Sequence, residues 1–427
     1  MTYNQKLSVS VKILIISFRI LLGIVFIFSG FVKGIDLMGS AIKFDDYFIA
    51  FGLDFLLPVS LPLAIFLVST EFIIGISLLF GFRTYYGILG ILIFMAAFTP
   101  ITLGLALFNP VSDCGCFGDA IVLTNWQTFW KNVILTVMVL IIFLNRKKFI
   151  PAYPVRTEWF ILAVIFILFV GFSIHNYRHL PMLDFRPYNA GTNIPEKMYL
   201  PENAPVDEYK TILIYEKNGV RKEFSLENFP WQDSTWTFVE QKSILIKEGY
   251  QPPIHDFSIT TPDGNEITDI VLSDNGYSFI LVSSNLAKAN KKALQKLDKI
   301  SLYCDQRGIK FYCLTSSIHS ETEQIKTSQQ LSFNVFYTDE TTLKTIIRSN
   351  PGLLLLKEGT ILAKWHYNDL PGIEELGKPV LSMVINTARQ EHERALVIIL
   401  IIVLLLGVSV FEITRNLSVK WSGGVVE

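Results

Sequence analysis

Cys114 and Cys116 stand in "PVSDCGCFGDA" (residues 110–120) with only Gly115 between them, and Asp113 and Asp119 flank the pair. They are two of the chain's four cysteines. Thiols this close can form a disulfide and pass it on. In an extended segment their Cα atoms lie near the upper limit of about 6.8 Å for a bridge. Gly115 permits a bend that other residues resist. The small ring that results is strained, and strained exposed disulfides are the more oxidising and labile ones. The two aspartates work the other way, because nearby negative charge disfavours the thiolate, so no activating group is visible in the sequence. Two plainer readings remain beside the redox pair. One is a static clip. The other is a metal site with Asp113, Cys114, Cys116 and Asp119 as ligands, although zinc sites favour a wider C-x₂-C spacing and a second pair, and no histidine lies nearby.

The compartment decides among these, and the flanking elements set the compartment. Apolar residues make up 51% of the chain and charged ones 18%, with a net charge of −1. This balance fits a lipid bilayer as the surrounding medium and excludes the basic field that nucleic acid requires. Six apolar runs approach or exceed the roughly 20 residues needed to cross a bilayer: 13–33, 58–80, 84–108, 126–144, 158–175 and 395–411. The first has no small-residue cleavage site and reads as a retained helix. Lys6, Lys12, Arg83, "NRKKF" (145–149), Arg156, Arg415 and Lys420 all fall on one face if the N-terminus is cytoplasmic. Lys33 and Lys43 dissent. The cysteine loop and residues 176–393 then face the periplasm of a bacterial inner membrane, where disulfides persist.

Asn109-Pro110 ends the third span, and Thr124 with Gln127 has capping-box spacing for the start of the fourth. The loop between is therefore short and pinned at both ends. Residues 36–57 are too acidic to span and read as an interfacial or re-entrant helix roofing the bundle near the cysteines. Arg19 and Glu71 lie inside spans at about 9 Å and 13 Å from the cytoplasmic side, at 1.5 Å per residue. Matched depth predicts that they pair, either as a lock between helices or as a polar pocket for a quinone-like or other small ligand.

"FRILLGIVFIFSGFVKGID", "STEFIIGISLLFGFRT" and "DCGCFGD" together resemble the DoxX-like superfamily, closest to its methylamine-utilisation MauE branch of four-helix membrane proteins, over about residues 11–150. The resemblance implies a thiol–disulfide role, since MauE-like proteins are associated with disulfide formation in a periplasmic amine dehydrogenase subunit. Nothing in the chain points to methylamine itself.

The remaining segments divide as 151–178, a fifth transmembrane helix; 179–252, a linker and a small β segment; 253–382, an α/β domain; and 393–415, the sixth span. Asn218-Gly219 marks a hairpin in 209–224. Asp263-Gly264 marks a second, and Glu358-Gly359 a third. Buried strands at "YSFILVSS" and "IKFYCLTSS" alternate with helices before the closing hairpin. This order resembles the thioredoxin-like fold over about 253–380, with Pro351 where that family has a cis-proline. The family's Cys-x-x-Cys position reads "SSNLAKAN", so the scaffold is expected without its thiols. Cys304 and Cys313 are expected to be buried as small hydrophobes, and His366 to sit on the surface.

The expected architecture is a membrane α-helical bundle with a four-helix DoxX/MauE-like core, joined to an exoplasmic thioredoxin-like domain. The expected function is periplasmic thiol–disulfide transfer through Cys114 and Cys116, with electrons passed to a quinone or another membrane partner. The thioredoxin-like domain would bind a periplasmic client protein. The alternative is a non-enzymatic scaffold or accessory membrane subunit that binds a periplasmic partner.

Overall fold

The computed structural model describes residues 9–111, 113–146, 149, 154–205, 208–247 and 249–376. The expected span at 395–411, and the basic residues Lys6, Lys147, Lys148, Arg415 and Lys420, lie outside the described residues.

Five described helices or helical stretches are long and apolar enough to cross a membrane. They contain α1 (Val9–Ile35), α3 (Ser60–Phe80), α4 (Thr84–Phe108), α5 (Asn125–Leu144) and α6 (Val155–Arg178). The chain is a multi-pass membrane protein. The shorter α2 (Leu37–Ala50) follows α1 and is capped by Asp36, whose carboxylate accepts the Gly39 N–H at 2.8 Å. This is the helix expected near the cysteines. α4 stops where Asn109 turns left-handed ahead of Pro110. α5 begins with the Thr124–Gln127 capping box in full.

α1 and α3 touch backbone to backbone. A Cβ placed on Gly75 would stand 2.6 Å from Ile27 N, and one on Gly30 would stand 2.8 Å from Phe72 N. Only glycine admits this approach, which is how helices gain van der Waals contact in lipid. It brings the C-terminal half of α1 against the middle of α3.

Beyond α6, the short helix α7 (Ile194–Met198) precedes an antiparallel three-stranded sheet ordered β2-β1-β3. Its strands are β1 (Glu208–Lys217), β2 (Val220–Ser225) and β3 (Thr237–Lys247). Asn218 and Gly219 both take positive φ in the β1–β2 turn, as a two-residue hairpin requires.

The larger sheet contains β4 (Tyr277–Ser283), β5 (Lys310–Thr315), β6 (Val335–Tyr337), β7 (Gly352–Lys357) and β8 (Thr360–His366). Its order is β6-β5-β4-β7-β8. β4 runs parallel to β5, β5 parallel to β6, and β7 antiparallel to both β4 and β8. The Asn350–Pro351 peptide ahead of β7 is cis. This is the thioredoxin-like topology with an added edge strand. Alternation sorts the side chains to two faces. Phe279, Leu281, Cys313 and Leu355 pack with Cys304 and Leu297 of the helix Lys291–Arg307. Ile280, Val282, Leu314 and Leu354 pack on the other side with Leu343 and Ile346 of the helix Glu340–Ile346. Cys304 and Cys313 are thus core residues, as expected, and burial pushes the Cys304 thiol up to about 12.

Three expectations change. Residues 184–198 are not a linker. Tyr188 and Ile194 are buried against the sheet, Gly191 N–H donates to Ile361 O at 2.7 Å, and Asp184 binds Arg186 and Lys364 at 2.7 and 2.8 Å. Apolar anchors and backbone bonds outweigh a Pro- and Asn-rich composition here. The turn at Asp263-Gly264 forms, but it joins only an isolated bridge, Thr260 to Glu266. His366 is buried rather than superficial, and burial lowers its imidazole to about 4.

Candidate functional site

The cysteine loop leaves α4 at Asn109 and enters α5 at Asn125. Asn125 closes its base by donating to Asn109 Oδ1 at 2.7 Å and to Val111 O at 2.9 Å. The loop then folds back on itself. Gly115 and Gly118 take φ of 65° and 54°, and Gly118 N–H donates to Gly115 O at 3.1 Å. Asp113 accepts the Gly115 N–H at 2.8 Å. This bend brings the two sulfurs to 3.0 Å, both as free thiols and both half-buried. Closing a disulfide requires a contraction of about 1 Å to the usual 2.05 Å.

Side chains from α1 and α2 hold the loop. Tyr47 O–H donates to Cys114 O at 2.7 Å, and Ser29 O–H donates to Cys116 O at 2.8 Å. Lys43 pairs with Asp113 at 2.8 Å. Phe117 packs against Phe28, and the Lys131 ammonium stands 4.4 Å from the Phe117 ring centre. Among the described residues no group of three or more His, Cys, Asp or Glu side chains is placed to hold a metal ion. The two aspartates of the supposed ligand set are engaged with cations instead.

Those cations reverse the electrostatic expectation. The Asp113 charge is met by Lys43 and the Asp119 charge by Arg348. The Cys114 hydrogen bond, followed by the fields of Lys131 and Lys33, lowers Cys116 to about 6 against the opposing effect of burial. Cys114 is pushed up by its bond to Cys116 and by burial. The surroundings therefore favour the thiolate at Cys116 over one at Cys114. No nearby sequence signal marks this, because Lys33 and Lys131 lie in α1 and α5.

Arg19 and Glu71 do not pair. Glu71 forms an ion pair with Lys33, and its carboxylate lies 3.2 Å from the Ser29 hydroxyl. Arg19 lies over the Phe149 ring at 5.6 Å, and its Nε has no hydrogen-bond partner among the described residues. Fourteen residues separate Arg19 from Lys33 on α1, about 21 Å at 1.5 Å per residue. The α1–α3 contact brings Glu71 to the Ser29–Lys33 end. The lysines that dissented from the charge bias, Lys33 and Lys43, therefore both serve the loop, and that dissent was the sequence signal for them.

Below the sulfurs lies a cavity of about 840 Å³. Lys33, Lys131, Tyr47 and Glu71 line it along with the cysteines, and most of the remaining wall is apolar.

The thioredoxin-like domain reaches this site through Arg348. Its guanidinium binds Asp36 and Asp119, each at 2.9 Å, and donates to Lys344 O at 2.8 Å. Asp119 is three residues from Cys116. Pro351 lies in the same connection as Arg348. Where the thioredoxin-like family carries its cysteines, Ser283 donates to Asn350 Oδ1 at 2.6 Å and Asn350 donates to Asn285 O at 2.8 Å. Neither Arg348 nor Asn350 stands out in the sequence.

No curated protein matches the chain. A solution structure from Bacteroides thetaiotaomicron, provisionally named a protein disulfide isomerase, is 14% identical with a TM-score of 0.24. It covers 33% of this chain and 91% of its own. The fold assignment rests on the strand order above. Residues 209–248, the three-stranded sheet, match a domain of unknown function, DUF8463. Residues 11–145 match the model of methylamine utilisation protein MauE, so the helices that carry the cysteine loop are a MauE-type membrane domain, fused here to a thioredoxin-like domain without the usual cysteine pair.

Proposed function

We propose that Cys114 and Cys116 exchange a disulfide with client thiols at the periplasmic face of a bacterial inner membrane. The observation that carries this reading is the pair itself: two sulfurs 3.0 Å apart in a loop fixed at both ends, with the Cys116 thiol lowered to about 6. In the oxidised state a client thiolate attacks one sulfur, giving a mixed disulfide and releasing the other as a thiolate. The client's second thiol then attacks its own bridged sulfur. The client leaves oxidised and the pair is left reduced, with two electrons transferred. Cys116 is the better leaving group of the two, because the lower thiol pKa leaves faster. The attack then falls on Cys114. The basic residues Arg83, Arg146 and Arg156, at the ends of the helices opposite the cysteine loop, support a cytoplasmic N-terminus.

The experiment is thiol trapping in cells, comparing the parent with Cys114→Ser and Cys116→Ser. Cys116→Ser is expected to accumulate a mixed disulfide through Cys114. A pair that stays in one redox state under all conditions, with both variants behaving like the parent, removes the reading.

One observation favours the scaffold alternative. The thioredoxin-like domain is already bound to the loop through Arg348, so it is a fixed partner of the membrane domain. A stoichiometric periplasmic partner that co-purifies undiminished with the double serine variant would support that role.

A further inference from the structure

A cysteine pair left reduced by each client needs an acceptor for two electrons before its disulfide can form again. The cavity beneath Cys114 and Cys116 has the size, polarity and entrance of a site for one. Its volume of about 840 Å³ falls in the range of ligand sites, on the order of 300–1,000 Å³. Its polar groups gather under the loop, where Lys33, Lys131 and Tyr47 stand near the sulfurs. From Lys33 the wall descends along α1 to Val25, about 12 Å at 1.5 Å per residue. At that depth it is formed by Phe26, Phe94, Met95 and Leu135.

The mouth is apolar as well. Phe51 and Leu53 line one side and Ile101 and Phe108 the other, and all four are exposed as residues facing lipid would be. Gly104, on the α4 wall, has no heavy atom within 4 Å of the position a Cβ would take. A ligand therefore enters from the bilayer. It is apolar along most of its length and has a polar head that reaches the Lys33 and Lys131 ammonium groups beside a redox pair.

We propose that this cavity binds a lipid-soluble quinone, which accepts the electrons released when Cys114 and Cys116 form their disulfide. The proposal rests on the thiol–disulfide reading above. In the step, the Cys114–Cys116 S–S bond forms and the Cys114 S–H bond breaks. Two electrons and the Cys114 proton pass to the quinone. The second proton comes from the Lys131 ammonium, which water reprotonates, and quinol returns to the bilayer. A phospholipid matches the apolar wall and its phosphate suits the ammonium groups, but it accepts no electrons from the pair.

The test uses the full chain, purified in mild detergent and reduced without oxygen. Decylubiquinone is added as the probe, quinol formation is followed by ultraviolet absorbance, and the thiols are trapped for mass analysis. One quinol per cysteine pair is expected. Gly104→Phe, which extends into open space, is expected to slow the reaction at least tenfold, and Met95→Trp does the same from the deep end. Diamide, a water-soluble thiol oxidant, is expected to close the pair equally fast in all three proteins, which shows that the loop is intact. If diamide closes the pair while the quinone oxidises none of the proteins, or all of them alike, the quinone site is overturned and the thiol reading stands. If diamide fails to close the pair in the parent, both fall.

Discussion

Replacing Arg348 with methionine tests how the two domains are joined. The guanidinium is 9% exposed and lies 2.9 Å from both Asp36 and Asp119, whose side chains are 12% and 35% exposed. Its removal leaves two carboxylates facing each other without their shared cation. Breaking a buried pair from one side costs about 3–5 kcal/mol, mostly as the penalty on the charge left behind. The opening free energy of the helix Glu340–Ile346, measured by hydrogen exchange on the detergent-purified chain, should fall by about that amount. The triple variant Arg348→Met, Asp36→Asn, Asp119→Asn separates charge from contact. It carries no uncompensated carboxylate at this site, and asparagine still caps α2 at position 36. It should therefore recover most of the loss. A single variant within about 0.5 kcal/mol of the parent, or a triple variant no better than the single one, would refute the reasoning that Arg348 holds the domains together electrostatically.

Three further outcomes are expected. Alkylation of reduced Cys116 by iodoacetamide should reach half its maximal rate near pH 6 and level off above neutrality; Lys131→Met should move that midpoint upward, and a parent midpoint near the ordinary value of about 8.5 counts against the electrostatics described. Gly115→Ala places a side chain in the left-handed region, at a cost of roughly 1–2 kcal/mol, and 3.1 Å from Lys43 Cγ; disulfide closure by diamide should slow, and an unchanged rate would show that the bend is not required. Asp184 is depressed to about 2, with burial opposed by Lys364 and Arg186, so its stabilising effect is full above the unfolded carboxylate range near pH 4 and drains away as pH falls toward 2; Asp184→Asn should destabilise the thioredoxin-like domain by about 3–5 kcal/mol at pH 7, with the gap to the parent narrowing on acidification in a denaturation series.

The spans were legible because twenty apolar residues in a row leave few alternatives, and the loop was legible because two thiols two residues apart are rare in a cysteine-poor chain. The strands of the large sheet were legible from their apolar runs and positive-φ turns. What escaped was contact between distant segments. Depth alone matches Arg19 with Glu71, whereas the glycine-backed approach of α1 to α3 selects Lys33. In the sequence the loop's aspartates stand only to repel a thiolate, because the lysines that meet or outweigh them come from α1, α2 and α5. Arg348 lies 229 residues from Asp119 and 312 from Asp36, and no local pattern announces such a contact. Residues 184–198 carry the composition of a connector, and only their burial shows otherwise.

Ser29 has one hydroxyl hydrogen and two acceptors within reach, the Cys116 carbonyl at 2.8 Å and the Glu71 carboxylate at 3.2 Å. The hydrogen can point at only one of them at a time. When it faces the loop, the carboxylate leans wholly on Lys33. When it faces the carboxylate, the Cys116 peptide loses its tie to α1. Ser29 is therefore a two-position rotor between the surface loop and a buried charge, and rearranging the sulfur-bearing backbone changes the company Glu71 keeps without any side chain having to cross the membrane.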